Sequence, residues 1–129
     1  MAGDLLLDTN IVIALLAVDQ KVVRRVALAP MIYLPAVVVG ELCFGAHKSL
    51  QVAGNLQRID DLVLRSTVLA CDLDTARIYG EIKQQLQARG APIPDNDIWI
   101  AAVARQHQIL LLTRDLHFQR IGGINVEFC

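Results

Sequence analysis

Four carboxylates in this chain stand where carboxylates are costly. Asp8 directly follows the apolar run Leu5-Leu6-Leu7, and Glu41 shares a helical stripe with Val37, Val38, Leu42 and Gly45. Asp97 opens the stretch Ile98-Trp99-Ile100-Ala101-Ala102, and Asp115 follows Ile109-Leu110-Leu111-Leu112 by way of Thr113 and Arg114. Each has an ordinary explanation. Asp8 and Asp97 suit helix starts, where side-chain oxygens accept free backbone N–H groups and meet the positive end of the helix dipole. Glu41 on an apolar face needs an ion-pair partner, such as an Arg from another element, or a cleft to open into. Together the four suit a different chemistry. Carboxylates within about 4 Å repel by roughly 4 kcal/mol per pair at an effective dielectric of 20, and a divalent cation reverses that sign. Oxygen-only donors suit Mg²⁺ or Mn²⁺ rather than zinc, and Mg²⁺ keeps waters and takes substrate phosphate as a ligand. The chemistry open to such a site is in-line attack of a metal-activated water on a phosphodiester. On this reading Asp8, Asp97 and Asp115 are metal ligands, directly or through water, and Glu41 ligates or orients. The general base stays open among the four.

The elements that must position these acids follow from the hydropathy pattern. Leu5 to Leu7 and Ile109 to Leu112 are uninterrupted apolar runs, the mark of strands buried on both faces of a parallel sheet. In open parallel sheets the ligand crevice lies beyond the carboxyl ends of the strands, which is where Asp8 and Asp115 fall. Between them, Asn10–Ala17 reads as a short buried helix, and Asp19 as the cap of an amphipathic helix to Leu28 with Lys21, Arg24 and Arg25 on its basic face. Met31–Leu34 reads as a second strand, with Pro35 in the first turn of the helix that carries Glu41. A helical stretch spans 50–65 with Asp60 and Asp61 on its solvated face, and a third strand lies within 66–71. A long helix capped by Asp72 or Asp74 runs to Arg89 and stops at Gly90. The helix after Pro94 carries Asp97 in its first turn and buries Ile100, Ala101, Val103, Ala104 and His107. A helical turn anchored by Phe118 and Ile121, a bend at Gly122-Gly123 and an edge strand over 124–128 close the chain. Alternating strands and helices predict an α/β sandwich with a parallel sheet and right-handed crossovers.

A length of 129 residues suits one domain, 1–129, with one core. The hydrophobic share of 54% is high for a soluble chain and predicts apolar surface kept for a partner, a second copy or another protein. Asp19, Pro30, Pro35 and Glu41 interrupt the most hydrophobic regions, so no run reaches the roughly 18 residues of a membrane span. With no basic segment ahead of a cleavage site at its start, the chain is expected in the cytoplasm. Cys43, Cys71 and Cys129 are odd in number and unpaired in spacing, which argues against disulfides and zinc. A net charge of −1 exerts no long-range pull on nucleic acid.

Four segments carry a resemblance: Leu-Leu-Leu-Asp8-Thr9-Asn10; Gly40-Glu41-Leu42 with Gly45; Asn96-Asp97-Ile98-Trp99-Ile100-Ala101-Ala102; and Leu112-Thr113-Arg114-Asp115-Leu116-His117-Phe118. In this order and at this spacing the chain resembles a PIN domain, and specifically the VapC toxins of toxin–antitoxin pairs. The resemblance implies a three-layer α/β sandwich around a mostly parallel five-stranded sheet. It implies an Mg²⁺- or Mn²⁺-dependent endoribonuclease acting on tRNA or rRNA, and a homodimer neutralised by a VapB-like antitoxin whose arm reaches the acidic site. Carried over by position, Asp8, Glu41, Asp97 and Asp115 fill the four acidic places, with Thr9, Asn10 and Thr113 as polar support. Asp95 is an extra acid near the site. Arg114 is placed either to meet RNA phosphate or to form an internal salt bridge, and Trp99 either to pack or to stack on a base. Two other readings stand beside this one. A haloacid dehalogenase-type phosphotransferase would want a second Asp where Asn10 stands, and a receiver-like domain would carry its acceptor Asp on a mid-chain strand. A catalytically silent PIN-like binding module would not need all four acids.

Overall fold

The computed structural model of the protein describes residues 3–129. Five strands form one sheet: β1 (Leu5–Leu7), β2 (Ile32–Pro35), β3 (Thr67–Leu69), β4 (Leu110–Thr113) and β5 (Val126–Phe128). Their order across the sheet is β3-β2-β1-β4-β5, and every neighbouring pair is parallel. Six helices flank it in a three-layer arrangement: α1 (Thr9–Leu16), α2 (Gln20–Ala27), α3 (Ala36–His47), α4 (Val52–Leu64), α5 (Leu73–Ala88) and α6 (Asp95–His107). A short 3-10 helix, Leu116–Arg120, follows β4.

The chain leaves β1 for β2 and β3 on one side and returns to place β4 and β5 on the other. The order therefore reverses between β1 and β4, and a crevice opens at the carboxyl ends of such a pair. Leu5, Leu6 and Leu7 are wholly buried, as are Leu111 and Leu112 beside them. Burying a leucine side chain contributes about 1.5–3 kcal/mol, so this central pair is the stiffest part of the sheet. Helix starts follow their expected chemistry. Asp19 accepts the N–H groups of Lys21 and Val22, and Asp72 rather than Asp74 caps α5, in a reciprocal box with Thr75.

Four details differ from the sequence reading. His107 does not join the buried stripe of α6. It lies exposed in the last turn, and the helix buries Ile98 and Ile100 through Ala104 instead. Pro35 ends β2 and stands at the N-cap of α3 rather than inside its first turn. Glu41 flanks the buried stripe Val38, Leu42, Ala46 instead of sitting at its centre. The outer strands β3 and β5 are shorter than the apolar runs suggested, because sheet pairing stops before the run of suitable residues does. Among the described residues, no helix is long and apolar enough to cross a membrane.

Candidate active site

The site begins at the join of β1 and β4. Leu7 lies opposite Leu112, and the Asp8 N–H donates to the Leu112 carbonyl at 3.1 Å, so Asp8 continues the sheet ladder by one step. Its side chain, in a residue only 3% exposed, caps α1 by accepting the Thr9 N–H at 2.8 Å. It also accepts the Thr113 hydroxyl at 2.6 Å. One carboxylate oxygen of Asp8 thus caps α1 and the other holds Thr113. Thr113 is fully buried, and its hydroxyl oxygen accepts the Asp115 N–H at 2.9 Å. One threonine therefore ties the first acid to the backbone of the last. Asp115 opens the 3-10 helix by accepting the His117 N–H at 2.9 Å. From α3, Glu41 accepts the Thr9 hydroxyl at 2.7 Å, so its partner is a neutral hydroxyl rather than an Arg.

Asp97 comes from the first turn of α6, whose N-cap is Pro94 and needs no side-chain cap from the aspartate. Its side chain is 15% exposed and meets His117 Nδ1 at 3.3 Å. Burial, reinforced by repulsion from Asp8 and Asp115 and opposed by His117, pushes the Asp97 carboxyl up to about 6. Burial also raises Asp8; the bonds from Thr113 and Thr9 oppose this, and the charges of Asp115 and Glu41 add to it. Asp8, Glu41, Asp97 and Asp115 thus share one electrostatic neighbourhood, although each comes from a different part of the chain.

The remaining singled-out residues divide into support and bystanders. The Asn10 side-chain oxygen accepts the Arg114 N–H at 3.3 Å, joining the start of α1 to the loop after β4. The Arg114 guanidinium bonds Asp19 at 2.9 Å and the Cys129 carbonyl at 3.1 Å, which is the internal salt bridge of the two options open to it. Asp95 turns to Lys83 at 3.1 Å and to the Tyr79 hydroxyl at 2.9 Å, and the Lys83 bond holds its carboxyl below the usual range. Trp99 stacks on Tyr79 with ring centres 4.1 Å apart. His117 has no role legible from the sequence alone, yet its Nδ1 is 3.1 Å from Asp115 and 3.3 Å from Asp97. The signal available was its spacing, two residues after an acid at a strand end, where a tight turn folds the ring back over that acid. Beside α1, α3 and α4 lies a largely apolar groove of about 360 Å³ lined by Ile13, Leu16, Leu42, Ala46 and Ile59, with Glu41, Asn55 and Arg58 as its polar members.

The family model of the PIN domain matches residues 5–124. The chain is also 34% identical to a ribonuclease VapC2 of Haemophilus influenzae, over 95% of each protein. It belongs to the PIN-domain ribonucleases of the VapC family. A tRNA(fMet)-specific endonuclease VapC of Shigella flexneri is 34% identical over 73% of this chain and 72% of its own. In a crystal structure of DNA-bound VapBC from Salmonella typhimurium, the matching chain superposes with a TM-score of 0.91 at 30% identity, covering 97% of each chain. That likeness takes in nearly the whole of this PIN domain.

Proposed function

We propose that this PIN domain, taken as one domain over 1–129, is the toxin of a toxin–antitoxin pair and an Mg²⁺- or Mn²⁺-dependent endoribonuclease of the cytoplasm. The observation that carries the reading is the convergence of Asp8, Glu41, Asp97 and Asp115 where strand order reverses, with burial raising the carboxyls of Asp8 and Asp97. Close, partly buried acids that oppose one another's ionisation favour a divalent cation. Asp8, Asp97 and Asp115 would hold it, and Glu41 would ligate or orient. Bound there, a divalent cation supplies a nucleophile from water at neutral pH and neutralises charge on a phosphodiester.

The chain's own residues supply position. Thr113 fixes Asp8 and the Asp115 backbone together, and Thr9 fixes Glu41 to the start of α1. Neither acid has to reorganise as charge develops, and this preorganisation is a main source of rate in such sites. Four intact acids argue against a silent binding module. The tRNA(fMet) specificity of the Shigella flexneri relative supports structured RNA, tRNA or rRNA, as substrate. The VapBC complexes among the structural relatives support a VapB-like antitoxin as partner. The groove beside Glu41 offers that antitoxin's arm an apolar path to the acids, and exposed apolar residues such as Phe44 and Leu50 suit a homodimer or a complex.

Cleavage of total tRNA and rRNA in Mn²⁺ tests the reading. Wild type is expected to cut, and Asp97→Asn to cut about a hundredfold more slowly or worse, the equivalent of a few kcal/mol of lost charge stabilisation. Equal rates in both reject the metal site, and no cutting by either favours a binding module.

A further inference from the structure

Among the described residues, His117 is the one strong metal-binding group at the acids that the four-carboxylate reading leaves unused. Its ring is folded back by the Asp115-Leu116-His117 turn, in which the His117 N–H bonds the Asp115 carboxylate at 2.9 Å. That turn sets Nδ1 at 3.1 Å from an Asp115 oxygen and 3.3 Å from an Asp97 oxygen. Asp97, Asp115 and His117 each offer a donor atom, and the three lie within 4.8 Å of one another. Adjacent donors around an octahedral ion with bonds of about 2.1–2.2 Å stand about 3.0 Å apart, so Nδ1 occupies the position of a neighbouring ligand to both carboxylates.

We propose that His117 Nδ1 is a nitrogen ligand of the divalent cation held by Asp97 and Asp115, and that it tilts the site toward Mn²⁺ over Mg²⁺. The inference rests on the metal-nuclease reading above and adds to it a residue and a selectivity. Mg²⁺ is a hard ion that takes oxygen donors, whereas imidazole suits first-row transition ions. An oxygen-only site discriminates little between Mg²⁺ and Mn²⁺, and one nitrogen donor breaks that parity. The ring is only partly covered, with 40% of the side chain exposed. Its replacement therefore leaves the core intact.

The test is electron spin-echo spectroscopy of Mn²⁺ bound to the isolated protein, with Mn²⁺ and Mg²⁺ affinities measured for wild type, His117→Gln and Asp97→Asn. Wild type is expected to show modulation from an imidazole ¹⁴N that His117→Gln lacks. His117→Gln should weaken Mn²⁺ binding about tenfold while changing Mg²⁺ binding by less than about threefold, whereas Asp97→Asn weakens both. The wild-type spectrum needs no variant to fold. Bound Mn²⁺ without nitrogen modulation overturns the ligand role and leaves the nuclease reading standing, and so does an equal loss of both metals in His117→Gln. Failure of wild type to bind Mn²⁺ at all overturns both.

Discussion

Asp97 is where the chemistry of the site and the stability of the protein pull in opposite directions. Its carboxyl stands at about 6 in the folded chain against 3.8 for a free aspartate. A folded-state value above the unfolded one means that the native protein holds the proton more tightly. The stabilisation is fully present below about pH 4 and is lost as the pH rises through about 6. At pH 8 the ionised group therefore costs the metal-free protein about 3 kcal/mol. Asp97→Asn should raise Tm at pH 8 in the absence of divalent ions, with the gain shrinking toward pH 4. A melting series in chelator across that range checks it, and a gain that grows on acidification contradicts the assignment. Single acids such as Asp8 and Asp115 were readable from the sequence because a charge at the end of an apolar run is conspicuous. His117 and Asp95 were not, because their roles depend on which side chains the fold sets opposite them: Asp97 and Asp115 for one, Lys83 and Tyr79 for the other.

Among the elements, the β1–β4 pair carries the architecture. Leu111 is wholly buried in β4, and Leu111→Ala leaves a cavity where the sheet is least able to relax. The expected cost is about 2–5 kcal/mol. The control is Asp72→Ala at the α5 cap, expected to cost about 0.5–2 kcal/mol. Urea unfolding of both variants checks the ranking, and a cap that costs more than the core leucine would contradict the view of this pair as the stiff centre. These strands were readable because a fully buried strand needs no alternation, so its whole length is apolar. The edge strands gave a blurred signal: β3 has Thr67 and Val68 exposed, and residue type there says little about where pairing stops. The His107 mismatch has a similar origin, since helical periodicity continues to the last residue of α6 while the layer that would cover it does not.

At the level of the whole molecule, the apolar surplus in the composition is spread over several elements, and part of it borders the groove beside Glu41. Ile13 is 58% exposed at the rim of the groove beside Glu41, and Phe44 is 64% exposed on the same helix as that acid. An apolar rim beside a charged crevice suits a partner that covers both. Ile13→Asp is expected to weaken capture of a coexpressed VapB-like antitoxin by about tenfold or more, the equivalent of about 1.4 kcal/mol. Mn²⁺ binding should be unchanged. Copurification yield with metal titration reads both, and undiminished capture places the antitoxin elsewhere.

The bond from Thr113 to Asp8 joins residues 105 positions apart. During synthesis the ribosome therefore releases one half of the cleft early and the other half almost last. A nascent chain that has emerged only as far as α5 carries Asp8 and Glu41 but neither Asp97 nor Asp115, and it lacks the strand that holds Asp8 in place. Such a fragment lacks the Thr113 hydroxyl that Asp8 accepts and the two acids that stand beside it in the folded chain. The cleft is therefore assembled only once β4 has left the ribosome.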